Sequence, residues 1–349
     1  MSPGDRRRGE PADVAPPGHP HGDTSGAGPV SGARGPALLR GADLLRLVAS
    51  DLALRPLLLV SDFDGTVARI VMDPWGARVL PGARRALRRL AGTPGVHVVL
   101  LSGRAAPDLA SRARVGGATY LGNHGIERGE LPRGARAEAL RVEQDPALAV
   151  YIEDARHLAR EVPRLIPDAW LIVERKGPAV AFHFRAAPDL AAARQRVLAA
   201  VDAIDTGSRM VRFPGRRVIE LRPPGAAAKG DALRSLVEEV RPAVTLMLGD
   251  DATDAQAFVA LRELREAGRT GGLAVAVHAH SDMPEAVAES ADVALASPEE
   301  TARFLAGLAR RVRAEDQAGI ASTRAATSSA QSRARSSSPS SRGPSRPAT

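Results

Sequence analysis

The chain has 349 residues, 44% of them hydrophobic and 3% aromatic, and a formal charge of +8. No apolar run approaches the ~18 residues a membrane span needs, and no apolar segment follows the basic start MSPGDRRRGEP as a secretory signal requires. With no cysteine, disulfides, thiol catalysis and cysteine-held zinc are excluded, and a reducing cytoplasm is the expected location.

The positive charge sits mostly at the two ends. Residues 317–349 carry five arginines and no acid, and residues 1–41 carry five arginines against four acids, which leaves +2 between them. With so few aromatic side chains for bases to stack on, the charge reads as solvated tails, with no specific nucleic-acid partner and no membrane partner.

Residues 1–41, rich in Pro, Gly and small polar residues, read as a disordered arm. Ordered structure begins after it. LLLVSDFDG (57–65) is an apolar strand ending in acids, GARRALRRLAG (82–92) is an amphipathic helix, and VHVVLLSGR (96–104) is a second strand ending in polar residues. A helix near 105–113 and the segment ATYLGNHG (118–125) follow. Further on, AVTLMLGDDATD (243–254) again runs a buried strand into acids, GLAVAV and ADVAL add strands, and a helix near 298–312 closes the series. Fully apolar strands alternating with helices predict an α/β fold, a parallel sheet covered on both faces.

The middle reads differently. A helix near 146–162 precedes WLIVERKG and PAVAFHFR, a hairpin turning at Lys176–Gly177–Pro178, and a helix near 188–204 leads to SRMVRF and RRVIELR. This predicts an α+β domain inserted into the first. The expected boundaries are 42–122 and 223–313 for the core and 123–222 for the insert, with a disordered basic tail over 314–349.

In open parallel sheets, ligands bind beyond the carboxyl ends of the strands. Four strands end there in polar clusters: Asp62 and Asp64; Ser102 and Arg104; Asn123 and His124; and Asp250, Asp251 and Asp254. Two acids two residues apart at a buried strand end repel each other and are costly to desolvate, a cost that a metal ion removes. Carboxylates without His or Cys select Mg²⁺, and magnesium beside phosphate-binding groups means phosphoryl chemistry. Ser102 is placed to donate to a phosphate, at the start of a helix. Lys229 and Lys176 are the only lysines in a chain with 48 Lys plus Arg. A compact ammonium suits a cramped phosphate site better than a guanidinium fork does, which gives Lys229 a reason to be lysine.

DFDGT, LSGR, KGDAL and GDDATD, in this order, resemble the four motifs of the haloacid-dehalogenase-like phosphatases. With GNHGIE (122–127), VERKGPAVAFHFR (173–185) and VIELRPPGAAAKGDAL (218–233), the chain resembles the trehalose-6-phosphate phosphatases over residues 57–308. The resemblance implies a Rossmann-like core with an inserted C2-type cap. It implies Asp62 as nucleophile through an aspartyl-phosphate, Asp64 as acid and base, and Ser102 and Lys229 on the phosphoryl oxygens. Mg²⁺ would be held by Asp62, the backbone carbonyl of Asp64, and Asp250, with Asp251 and Asp254 behind it. Glu174 and Lys176 on the cap, with Glu220, would meet the distal glucose; Arg104, Asn123 and His124 would lie at the core–cap seam. His183 reads equally as a structural histidine or a ligand contact. The expected substrate is trehalose 6-phosphate and the expected state a monomer. Sucrose 6-phosphate, mannosyl-3-phosphoglycerate or a non-catalytic sugar-phosphate sensor are the alternatives. One departure stands out: family members usually continue the last motif as GDDxTDEDAF, whereas Ala255 and Gln256 here replace two acids.

Overall fold

The computed structural model describes residues 35–315 and 317, apart from 72, 216 and 280–282. In chain order its elements are β1 (Ala37–Leu39), α1 (Gly41–Leu47), β2 (Leu57–Ser61), α2 (Pro81–Leu90), β3 (Val96–Leu101), α3 (Ala106–Ala113), β4 (Thr119–Gly122), β5 (Glu127–Glu130) and β6 (Arg141–Gln144). Next come α4 (Ile152–Leu165), β7 (Ile172–Lys176), β8 (Ala179–His183), α5 (Leu190–Ile204), β9 (Val211–Pro214) and β10 (Val218–Arg222). The last are α6 (Lys229–Val240), β11 (Val244–Gly249), α7 (Ala252–Glu266), β12 (Gly271–Val277), α8 (Glu285–Ser290), β13 (Val293–Leu295) and α9 (298–315).

Strand β2 shows why the sheet must be covered twice. All five residues of LLLVS are buried. Because successive side chains point to opposite faces, Leu57 and Leu59 enter one apolar layer with Ala83, Leu87, Phe304 and Leu308, from α2 and α9. Leu58 and Val60 enter the other, with Leu233, Val237, Phe258 and Leu261 from α6 and α7. The nine strands run in the order β1-β13-β12-β11-β2-β3-β4-β5-β6. Pairing is parallel from β1 to β4, and β5 and β6 add an antiparallel edge.

A second sheet, β7-β8-β10-β9, is wholly antiparallel. Helices α4 and α5 cover one of its faces, burying Leu158, Val162, Val197 and Val201 against Val180, Phe182, Ile219 and Leu221. The other face carries Glu174, Lys176, His183 and Glu220 toward the core.

Two boundaries differ from the sequence reading, and the last helix runs to residue 315, into the tail expected to be disordered from 314. Residues 37–41, assigned there to the disordered arm, are ordered: β1 pairs with β13, and the Gly41 amide donates to Glu300. The strand is three residues long with Leu38 exposed, too short for a periodic signal. Residues 127–144, assigned to the insert, belong to the core sheet as β5 and β6. Their sequences, ERGE and RVEQ, carry no apolar alternation that would read as a strand; β6 is the sheet edge, where charged side chains deter pairing with another chain, and β5 lies between it and β4. The expected disorder of residues 1–34 and 318–349 lies outside the described residues. Among the described residues no helix is long and apolar enough to cross a membrane.

Candidate active site

The carboxyl ends of β2, β3, β4 and β11 meet beneath the second sheet and enclose a cavity of about 540 Å³. The core supplies Asp62, Asp64, Ser102, Gly103, Arg104, His124, Lys229, Asp250 and Asp251 to its walls, and the cap supplies Glu174, Lys176, His183 and Glu220.

Lys229 is the hub of the floor. It is the first residue of α6 and 1% exposed, and its Nζ lies 2.7 Å from Asp62 Oδ1 and 2.7 Å from Asp254 Oδ1. Burial alone would push this ammonium down; Asp254 and Asp62 outweigh it and hold the pKa well above its usual value. Asp254 is fully committed: its other oxygen accepts from the backbone N–H groups of Asp250 and Asp251. Asp251 caps α7, accepting from the Thr253 and Asp254 amides, and lies 3.8 Å from Lys229. Two glycines permit this crowding. A Cβ on Gly65 would lie 2.1 Å from Asp250 Oδ2, at a φ of +79° that favours glycine, and one on Gly249 would lie 2.2 Å from Asp254 Cγ.

Asp62, Asp250 and Asp254 each bring an oxygen within 4.8 Å of the others, all buried. Burial, offset in part by Lys229 and reinforced by Asp251 and Asp64, pushes Asp62 up to about 7. Burial and the neighbouring Asp62, Asp251 and Asp254 raise Asp250 well above the usual carboxylate range. Clustered hard oxygens that a proton does not satisfy well are the donor set of a hard divalent cation. With Asp254 already bound to Lys229 and two amides, Asp62 and Asp250 are the side chains left to hold it.

Asp64 stands 37% exposed at the cavity, its carboxylate gripped by the fork of Arg104: Nε to Oδ2 at 2.6 Å and Nη2 to Oδ1 at 2.9 Å. Ser102 is buried on the loop after β3; α3 starts only at Ala106, capped at Ala105, so Ser102 is no helix cap. Its Oγ accepts from the Arg104 amide at 3.2 Å, which leaves the hydroxyl proton for a ligand.

The seam between core and cap is a buried polar network. Lys176 Nζ donates to the Gly103 carbonyl at 2.7 Å, beside Ser102, and lies 3.3 Å from Glu220 and 3.7 Å from Glu174. Asn123 Nδ2 donates to the Lys176 carbonyl at 3.1 Å. Asn123 and His124 both take left-handed backbone angles, φ 50° and 62°, a strain of roughly 1 kcal/mol or more each. Burial pushes His124 down to about 4 despite Glu220, so the ring is neutral. Burial works to raise Glu220, but Lys176 and Arg222 hold it ionised. His124 Nε2, 3.3 Å from Glu220 Oε2, is therefore the donor. Asn123 Oδ1 and His124 Nδ1 are buried without a hydrogen-bond partner among the described residues.

Every candidate the sequence supplied except Asn123 and Asp254 lines the cavity; those two lie directly behind it. The sequence reading missed Ile70, Val71, Arg185, Gly215, Arg217 and Val218, which line it too. Strand alternation beyond His183 was the one available signal for Arg185. His183, left open between two roles, has one clear contact: its Nε2 lies 2.8 Å from Glu174 Oε2.

Residues 60–298 match the family model described as trehalose-phosphatase. The chain belongs to the trehalose-phosphatase family. A trehalose-phosphate phosphatase of Mycobacterium avium is 37% identical over 71% of this chain and 61% of its own length. The chain thus spans about three-fifths of the curated relatives it matches. Among solved structures, the C-terminal domain of the Candida albicans trehalose-6-phosphate phosphatase superposes with a TM-score of 0.62 at 24% identity, covering 80% of this chain and 99% of that one. A C. albicans trehalose synthase regulatory protein domain does so with 0.56 at 13%, covering 78% and 99%. These two likenesses speak to the fold alone: an α/β core built on the nine-stranded sheet, with a second antiparallel domain inserted in it.

Proposed function

We propose that this family member is a magnesium-dependent phosphatase that releases phosphate from trehalose 6-phosphate through an aspartyl-phosphate. One observation carries the reading: a nucleophile bound to a buried lysine on the cavity floor faces a cap wall of Glu174, Lys176 and Glu220 across the same cavity. The floor suits a phosphate, and a wall of acids and an ammonium suits sugar hydroxyls, which both donate and accept.

Asp62 attacks phosphorus; its Oδ1 is held by Lys229, which leaves the other oxygen for the attack. Lys229 and the Ser102 hydroxyl hold the phosphoryl oxygens as charge builds on them. Asp64 leaves the Arg104 fork, takes up a proton from solvent and gives it to the departing sugar oxygen; it then takes a proton from the water that attacks phosphorus, which breaks the aspartyl-phosphate bond and frees Asp62. Asp62, Asp250 and the Asp64 carbonyl would hold Mg²⁺, which neutralises charge between nucleophile and phosphate. Asp254 and Asp251 keep Lys229 aimed at Asp62. Ala255 and Gln256 lie on α7 outside the cavity lining, so their neutrality leaves these acids untouched. In this reading the enzyme acts as a cytoplasmic monomer.

The test is phosphate release from trehalose 6-phosphate, glucose 6-phosphate, sucrose 6-phosphate and mannosyl-3-phosphoglycerate with Mg²⁺, with Asp62→Asn and EDTA as blanks. Preference for trehalose 6-phosphate that both blanks abolish is the expected result. Preference for another ester would keep the floor and overturn the cap assignment. A folded protein silent on all four would point to a sugar-phosphate sensor.

A further inference from the structure

Arg104, Asp108 and Arg112 follow one another at four-residue steps from the loop before α3 into the helix, so their side chains share one face. Such pairs on an exposed helix are solvated and weak. Here the arginines are buried: their side chains are 9% and 7% exposed. Arg104 gives its fork to Asp64 and its Nη1 to Asp108 Oδ2 at 3.1 Å. Arg112 grips both oxygens of Asp108, Nε to Oδ2 and Nη2 to Oδ1, each at 2.7 Å. Its remaining nitrogen reaches across the fold to the carbonyls of Trp75 and Ala77 at 2.6 and 3.2 Å, and its guanidinium stacks 5.8 Å from the Trp75 ring. The same stretch of chain brings Ile70 and Val71 into the cavity and offers the Val71 carbonyl to Arg185 of the cap. Neither Asp108 nor Arg112 lines the cavity.

We infer that Asp108 and Arg112 are positioning residues: Asp108 keeps Arg104 in place when Asp64 turns to the substrate, and Arg112 fixes the cavity-lining segment around Val71 and Trp75. The first half rests on the proposed role of Asp64. With both oxygens in the Arg104 fork, Asp64 faces no ester; it has to leave that fork to act. A second carboxylate that stays in place helps to keep the guanidinium where it is. Asp108 supplies that hold, and Asp108 is itself locked at both oxygens by Arg112. The second half depends on geometry alone. A bidentate ion pair on a helix sets a third nitrogen at a fixed place, and two backbone carbonyls more than thirty residues away along the chain dock on it.

The experiment compares the full chain with Asp108→Asn and Arg112→Gln in two ways: steady-state kinetics on trehalose 6-phosphate with Mg²⁺, and amide hydrogen exchange without substrate. For Asp108→Asn the expectation is a roughly tenfold fall in kcat with KM within about twofold, the mark of a group needed in the chemical step. For Arg112→Gln it is a roughly fivefold rise in KM and about tenfold faster exchange at Ile70, Val71, Trp75 and Ala77. Unchanged constants and unchanged exchange in both variants would overturn the inference. So would parallel losses in kcat and KM with faster exchange throughout α3, because that describes a helix that has merely loosened. If the wild-type chain turns over a different sugar phosphate, the substrate assignment falls and the kinetics are read on that ester. Silence on every ester removes the Asp108 half along with the catalytic reading, and exchange still decides the Arg112 half.

Discussion

Replacing Lys229 with methionine keeps the apolar stem and deletes one buried charge between Asp62 and Asp254, each 2.7 Å away. Removing one partner of a buried, hydrogen-bonded ion pair costs about 3–5 kcal/mol, since the remaining charge stays buried. In a folded region of this size that is a fall of roughly 10 °C in Tm. The pH dependence follows from Asp62. Burial places its pKa at about 7 with Lys229 in position, and Lys229 is the strongest influence pulling it down. Without that pull Asp62 keeps its proton to higher pH. Below about pH 7 the folded wild type and the folded variant both hold this proton, and Asp62 adds no slope to their difference. Above it the wild type releases the proton and the variant does not. The deficit therefore widens by about 1.4 kcal/mol per pH unit. Thermal melts in EDTA at about pH 6 and pH 8 measure this: the deficit at the higher pH should exceed that at the lower by about 3–5 °C. A deficit that is equal at both, or larger at pH 6, would show that Lys229 is not the counter-ion of these acids.

Magnesium should raise the Tm of the wild type more at about pH 8 than at about pH 6, because the cation competes with a proton on Asp62 that leaves near pH 7; calorimetry at the lower pH should detect proton release, and a pH-independent gain would count against Asp62 as a ligand. Gly65→Ala places a methyl 2.1 Å from Asp250 Oδ2 at a left-handed φ, so magnesium stabilisation and phosphate release should both be lost, as melts and turnover of the purified variant would reveal. Glu174→Gln should raise KM for trehalose 6-phosphate about tenfold, the cost of one charged hydrogen bond, and spare kcat; an unchanged KM would remove Glu174 from the sugar wall. Tyr120→Phe serves as a contrast. The buried hydroxyl accepts from the Val115 amide at 2.8 Å and donates to its carbonyl at 3.0 Å, so its loss should cost about 1–3 kcal/mol in denaturant melts and leave KM unchanged.

What the sequence made legible follows from the kind of signal each residue leaves. Asp62, Ser102, His124 and Asp250 could be read because each stands where an apolar strand ends, and a parallel sheet collects such ends at one edge. Lys229 stood out because lysine is nearly absent from this chain. The β5–β6 edge left no such mark. An edge strand is protected by charge, and charge resembles loop. The Asp108–Arg112 lock escaped for another reason: four-residue spacing of opposite charges is ordinary on helices. Only the docking of Trp75 and Ala77 on it, from a distant part of the chain, distinguishes this pair.

The order of strands in the sheet has a consequence for how the protein is made. β2 lies between β3, which follows it closely in the chain, and β11, which the ribosome delivers only after the whole cap. Asp62 stands at the end of the first of these strands, and Asp250, Asp254 and Lys229 arrive with the last part of the core. A growing chain can pair β2 with β3 and fold the cap while one flank of β2 waits open. Such non-local pairing is slow to form and leaves a bare hydrophobic edge in the interval. Most of the acidic cluster does not exist during that time: apart from Asp64, two residues along, Asp62 meets neither its counter-ion nor its rivals until α6 and β11 dock. The most costly electrostatics in the molecule are thus assembled in one late step, by the strand whose two flanks of backbone hydrogen bonds help to hold the cluster together.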